Sequence, residues 1–99
     1  MLDVTTVDDL LIIRPGQDII STMVPQFKAQ VVDLLSKNPG KICLDLQNVE
    51  LMDSVGIGVL IAIHNTLKKQ GHVLAISNAS ENIAKLFQTM RLDQHFQIM

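Results

Sequence analysis

The chain has 99 residues, a hydrophobic content of 47% and a formal net charge of −2. This length predicts one small domain, residues 1–99, with its own buried core, and the hydrophobic content excludes a disordered chain. Eight scattered basic residues and three aromatic residues give no surface for binding nucleic acid directly.

The sequence shows no feature of a secreted or membrane-inserted protein. No apolar run reaches the ~18–20 residues that span a bilayer, and the acidic N-terminus lacks the basic region of a signal peptide. The single cysteine, Cys43, lies inside an apolar run, which indicates a small buried hydrophobic side chain. We therefore expect a cytoplasmic protein.

The first part of the chain predicts a β-hairpin. Residues 2–6 and 9–14 are both rich in Val, Thr, Leu and Ile. The second run is apolar over residues 10–13, which is typical of a more central strand. Pro15-Gly16 ends this strand, and residues 17–22 are expected to form a loop.

The next pattern predicts a helix followed by a strand. Pro25 suits the first turn of a helix, where its missing N–H is not needed. Residues 38–40, Asn-Pro-Gly, end the helix, and the apolar run 42–46 is typical of a strand covered on both faces. The buried stripe of the helix is expected to consist of Phe27, Val31, Leu34 and Leu35.

The second half of the chain continues the alternation. Residues 47–51 form a loop into a long helix, which begins at the Asp53-Ser54 junction and runs to about Gln70, with Gly71 as its stop. The first half of this helix is apolar nearly all round, so it must be buried or covered by a partner.

The last elements are a strand, a helix and a short edge strand. The strand is expected at 73–76 and the edge strand at 96–98. Either Ser80, or Asn78 with Glu81, caps the helix. The apolar stripe of this helix is Ile83, Leu86, Phe87 and Met90. The order ββαβαβα(β) predicts an α/β fold: a mixed β-sheet with an N-terminal hairpin, followed by alternating helices and strands, with helices packed on the sheet.

The junction at residues 52–60, Met-Asp-Ser-Val-Gly-Ile-Gly-Val-Leu, is the strongest candidate for a functional site. It follows the carboxyl end of a strand, where open sheets of this kind bind their ligands. Ser54 lies at a helix N-terminus, whose free N–H groups favour a cap, an anion or a phosphoryl group. Gly56 and Gly58 let another backbone approach closely, yet each costs the helix ~1 kcal/mol relative to Ala. The alternative is that Ser54 is simply the N-cap.

The sequence matches the known motifs of catalytic and metal sites poorly. The Gly-x-Ser-x-Gly pattern of a nucleophile is met only by Ser54 and Gly56. His64 is expected roughly 15 Å from Ser54 along the helix, while His72 and His95 lie near element boundaries and are expected to be solvated. No pair of His, Cys or Asp has metal-ligand spacing, and no glycine-rich loop ends in Lys-Ser or Lys-Thr. We therefore expect no enzyme activity, no metal and no cofactor.

The same junction carries a family resemblance. Residues 44–49, Leu-Asp-Leu-Gln-Asn-Val, precede the junction at 52–60, and Gly71 and residues 92–96, Leu-Asp-Gln-His-Phe, fit as well. With these residues the chain resembles a STAS domain, the fold shared by bacterial anti-sigma factor antagonists and the cytoplasmic tails of sulphate transporters. The similarity covers essentially the whole chain.

The resemblance implies a phosphorylation switch at Ser54. In stand-alone members of the family, an anti-sigma factor that is also an ATP-dependent serine kinase phosphorylates the matching serine, and a phosphatase reverses the mark. The unphosphorylated domain binds the anti-sigma factor and frees the sigma factor, whereas the phosphorylated domain releases the anti-sigma factor. This protein would then be a substrate and no enzyme. The partner-binding residues implied by the resemblance are Met52, Asp53, Ser54, Val55 and Gly56, with Asp18 from the preceding loop.

Three positions depart from the family pattern. Val55 stands where a second serine or an alanine is common, which narrows the phosphosite to Ser54. Ile19 stands where an acidic residue is usual, and Asp18 is one place early. Arg91 stands where a glycine commonly precedes the leucine that matches Leu92, so the last helix is expected to end differently.

A second function fits the same family. Some STAS proteins brace an ABC-type lipid transporter at the membrane and have no sigma-factor role. Such subunits often carry threonine or another residue at the switch position, so the serine in Asp-Ser-x-Gly favours the antagonist.

Overall fold

A computed structural model describes residues 2–37 and 39–99 and contains one mixed sheet with its helices. The strands are β1 (Asp3–Val7), β2 (Leu10–Arg14), β3 (Lys41–Asp45), β4 (Leu74–Ser77) and β5 (Gln97–Ile98). The helices are α1 (Val24–Leu35), α2 (Ser54–Lys69) and α3 (Glu81–Thr89), with a 3-10 turn at Leu92–Gln94. The strand order is β1-β2-β3-β4-β5, antiparallel for the first pair and parallel for the others. The predicted α/β fold is thus confirmed.

The core lies between one face of the sheet and the helices. Register pairs such as Leu11 with Ile42 and Ile42 with Leu74 put alternate strand residues on the same face. These residues belong to the same buried cluster as Phe27 of α1 and Leu60 of α2. Cys43 points to the other face and is buried, as its apolar surroundings predicted.

The first helix begins as predicted but its stripe differs in one residue. Pro25 lies in the first turn of α1, and Phe27, Val31 and Leu35 are buried. Leu34 is only partly buried. The helix ends at Leu35, and Asn38, one of the residues predicted to end it, lies outside the described residues.

The last helix is capped by Ser80, whose hydroxyl accepts a hydrogen bond from the Ile83 amide at 3.2 Å. Asn78 does not cap it, because that residue is in the left-handed region and its side chain bonds to Asp45 instead. The prediction that Met90 belongs to the buried stripe is wrong. The helix ends at Thr89, and Met90 is 46% exposed. Arg91 adopts a positive φ of 59°, so it takes the conformation that a glycine would favour at a helix end.

Over the described residues, no helix combines the length and the apolar character that crossing a membrane requires.

Candidate functional site

Two loops meet beyond the carboxyl ends of β2 and β3. Residues 18–21 follow β2 and residues 50–53 lead into α2, and a parallel bridge joins Ile19 to Met52. The Ile19 amide donates to the Leu51 carbonyl at 3.1 Å, and the Asp53 amide donates to the Ile19 carbonyl at 3.3 Å. The candidate site therefore lies at the edge of the sheet where the sequence predicted it. We call these two loops with the first turn of α2 the α2 corner.

Asp18 fastens one loop of the α2 corner to the other. Its Oδ1 atom accepts hydrogen bonds from the amides of Glu50 and Leu51, at 2.9 and 3.0 Å. The following residue, Ile19, is fully buried. An acidic side chain at position 19 would therefore be buried against the core. A role for Asp18 in partner binding stays a prediction, and its observed role is structural.

Asp53 is the N-cap of α2 and also holds the neighbouring loop. Its Oδ1 accepts from the Gly56 amide at 2.9 Å and its Oδ2 accepts from the Ser21 amide at 2.8 Å. The hydrogen bond from Gly56, followed by that from Ser21, holds the pKa of Asp53 below its ordinary value. The alternative in which Ser54 is the cap is therefore wrong, because the preceding carboxylate already serves the amide of Gly56.

Gly56 lies on the inner side of the corner. It is buried, and a Cβ atom built on it would lie 2.1 Å from the carbonyl oxygen of Ile19. The predicted close approach of a second backbone is thus confirmed for Gly56. It is not confirmed for Gly58, which is exposed and whose Cβ would meet no described atom within 4 Å. As a partner-binding residue, Gly56 would act by shaping the corner.

The corner exposes the Ser54 hydroxyl and two apolar side chains. Ser54 is exposed at the first position of α2, and within the described residues its hydroxyl makes no hydrogen bond. Val55 is 46% exposed and Leu51 is 61% exposed, while Met52 is half-buried. The exposure of Leu51 was not predicted from the sequence, because the same loop contains a second apolar residue, Val49, which is buried.

A buried carboxylate stands behind the corner, at the end of β3. Asp45 accepts hydrogen bonds from the Arg14 guanidinium at 3.0 Å, from the Gln47 amide at 3.0 Å and from the Asn78 side chain at 2.9 Å. Burial alone would raise the pKa of Asp45, but the bonds from Asn78, Gln47 and Arg14 together lower it. Asp45 thus stays charged and ties the end of β3 to the neighbouring strands.

The histidines lie away from Ser54. His64 is half-buried, with its ring 5.8 Å from that of His95 and 5.6 Å from that of Phe96. Burial, then the charges of His95 and Lys68, lower the pKa of His64. His95 is exposed as predicted, whereas His72 is half-buried. In the described part of the chain, no three His, Cys, Asp or Glu residues are arranged to hold a metal ion.

Comparisons with known proteins agree with this geometry. The STAS domain model matches residues 1–99 of the chain. A Thermotoga maritima protein assigned to the anti-sigma factor antagonists is 30% identical over 89 residues, which are 89% of this chain and 79% of that protein. A crystal structure of a Thermotoga maritima protein with the same assignment matches with a TM-score of 0.93 at 28% identity, over 98% of this chain and 84% of that one.

The phosphorylated form of the Bacillus cell fate determinant SpoIIAA also matches, with a TM-score of 0.77 over 100% of this chain and 91% of that one. At 19% identity, this likeness shows the fold alone.

Proposed function

Because the chain belongs to the STAS domain family, we propose that it is an anti-sigma factor antagonist switched by phosphorylation of Ser54. The unphosphorylated form binds an anti-sigma factor that is also a serine kinase, and so regulates sigma-factor-dependent transcription. Phosphorylation of Ser54 releases the partner, and a cognate serine phosphatase restores binding. In this role the protein is a cytoplasmic substrate of the kinase and no enzyme, and it works without a cofactor, direct contact to nucleic acid or insertion into a membrane.

The observation that carries this proposal is the free hydroxyl of Ser54. A serine that caps its helix would have its oxygen engaged by a backbone amide. Here Asp53 accepts that hydrogen bond, and Ser54 is exposed beside it. A kinase can therefore reach the hydroxyl without opening the end of α2.

Electrostatics support a switch that acts on the partner. A phosphoserine adds a charge of about −1.5 to −2 at neutral pH. On Ser54 this charge would be added to a corner that also exposes the apolar side chains of Leu51 and Val55. A partner that covers these side chains has to bury or face the new charge, which can cost several kcal/mol.

Phosphorylation with purified proteins tests the proposal. Each anti-sigma factor with kinase activity from the same genome is incubated with the protein and ATP, and mass spectrometry locates the phosphate. We expect one efficient site, Ser54, and no phosphate on Ser54→Ala. Ser36→Ala, which changes an exposed serine at the end of α1, is the matched control and should be phosphorylated like wild type.

Undiminished phosphorylation of Ser54→Ala would overturn the assignment. If no kinase acts on the wild type and the protein instead co-purifies with transporter subunits, the antagonist function itself is wrong.

A further inference from the structure

Gly58 has no structural need to be a glycine in the described chain. It is exposed, and a Cβ atom there would meet no described atom within 4 Å. Its backbone is helical, without the positive φ that favours glycine at Gly16, Gly40 and Gly71. Gly56 is different, because its missing side chain makes room for the carbonyl of Ile19.

The missing side chain also weakens the helix. Glycine inside a helix is less favourable than alanine, because more backbone freedom is lost on folding. At Gly58 this loss is not offset by any close packing among the described residues. A benefit that offsets this loss of helix stability would therefore arise only when another molecule fills the space next to Gly58.

The surroundings of Gly58 indicate what would fill that space. Residues three and four positions away border it on the helix surface. These residues are Ser54, Val55, Ile61 and Ala62. None of them is charged, and Val55 is 46% exposed. A position without a side chain that is bordered by small and uncharged side chains accepts an apolar side chain of a partner, as a knob enters a hole between helical residues.

We infer that Gly58 receives an apolar side chain of the anti-sigma factor. This inference rests on the proposed function and adds a specificity-determining residue to its interface. Gly58 is one helical turn, about 6 Å along the axis, from Ser54. A phosphate on Ser54 would therefore stand beside the inserted apolar group, which offers no hydrogen bond to a buried charge. The apolar contact at Gly58 would thus make the interface sensitive to phosphorylation of Ser54.

Enlarging Gly58 tests the inference. Gly58→Ala and Gly58→Leu are titrated by calorimetry against the anti-sigma factor that phosphorylates Ser54, without ATP so that Ser54 stays unmodified. We expect Gly58→Leu to bind at least tenfold more weakly and Gly58→Ala to lie between it and the wild type. Both variants should melt no lower than wild type. Ala29→Leu, at an exposed position of α1, adds similar bulk elsewhere and should bind like wild type.

The outcomes separate this inference from the proposed function. If Gly58→Leu binds with wild-type affinity while Ser54 is phosphorylated normally, the role of Gly58 is wrong and the proposed function stands. If the wild type itself neither binds nor is phosphorylated, both are wrong. Should Gly58→Leu fold poorly, Gly58→Ala decides alone, and unchanged affinity in that variant overturns the inference.

Discussion

Asp53 holds two backbone amides with one carboxylate, those of Gly56 and Ser21. An asparagine keeps one acceptor oxygen, but its NH2 group cannot accept a hydrogen bond from an amide. We therefore expect Asp53→Asn to lower both the melting temperature and the rate of Ser54 phosphorylation, and Asp53→Ala to lower the melting temperature further. Thermal melts and kinase assays measure the two effects, with the exposed Asp9→Asn as control. Equal melting temperatures for wild type and Asp53→Ala would show that the corner does not need this carboxylate.

The pH dependence of the same variant separates charge from shape. The hydrogen bonds of Gly56 and Ser21 hold the pKa of Asp53 below its ordinary value of 3.8. A carboxyl group of this kind stabilises the folded state above the ordinary pKa, and the stabilisation is lost as pH falls through the lower, folded pKa. The difference in melting temperature between wild type and Asp53→Asn should thus be largest near neutral pH and shrink below pH 3.8. A constant difference would mean that shape alone matters.

The sequence predicted this candidate site but not the separate positions that Asp53 and Ser54 take at the start of α2. Both residue types are good helix caps, so residue type does not decide which one caps. In the structure Asp53 is the cap, and its carboxylate also accepts a hydrogen bond from the Ser21 amide, 32 positions away in the chain. The exposure of Leu51 was equally beyond the sequence, because an apolar residue in a loop can face the core or the solvent.

The first turns of helix α2 have a buried face, on which Gly56 lies, and an exposed face, on which Gly58 lies. A Cβ atom at Gly56 would lie 2.1 Å from a backbone oxygen of Ile19, which cannot swing away like a side chain. Overpacking typically costs about 1–3 kcal/mol, and a clash with backbone lies at the upper end of that range, so Gly56→Ala should lower the free energy of unfolding by about 2 kcal/mol even after the ~1 kcal/mol that alanine gains in a helix. Gly58→Ala, two residues further on, is the matched control and should gain about 1 kcal/mol. Urea denaturation measures both, and similar stabilities would contradict the assignment of the two faces.

Most elements could be predicted from the sequence because apolar runs are interrupted by Gly and Pro. Strand β3, for example, was predicted at 42–46 and is Lys41–Asp45. The wrong predictions concern residues at the ends of helices. Met90, for example, has the spacing of the apolar residues of α3 but lies after the helix has ended. The two glycines of α2 could not be told apart either, because only the position of the Ile19 loop makes one of them buried.

In the whole molecule, the sheet brings distant loops together. Strands β2 and β3 are parallel neighbours, so the loops that follow them meet at one edge. This general rule predicted that the Asp53-Ser54 junction lies beyond the carboxyl ends of the strands. It could not predict the contacts of Asp18 with residues 50 and 51, or the packing of His64 against Phe96, because these depend on register and on how each helix is rotated.

The proposed phosphorylation of Ser54 would act either at the binding surface or by unfolding the molecule, and the effect of a charge at a helix N-terminus distinguishes these two mechanisms. A negative charge there favours the helix by ~0.3–1 kcal/mol. Repulsion from the neighbouring Asp53 opposes this gain, so the net effect on folding should be small. Binding of the partner gains nothing from the helix N-terminus. The partner has to face the phosphate charge across the interface, where an unpaired charge costs several kcal/mol. Each 1.4 kcal/mol is roughly a tenfold change in affinity.

Two variants of Ser54 decide between these mechanisms. Ser54→Asp carries one of the charges of a phosphate, and we expect it to melt within a few degrees of wild type but to bind the anti-sigma factor about a hundredfold more weakly or worse. Ser54→Ala should fold normally and stay competent to bind even with ATP present, because it has no hydroxyl to phosphorylate. Thermal melts and titration calorimetry give both quantities. An unfolded Ser54→Asp would make the switch a folding transition, and an unchanged affinity would remove Ser54 from the interface.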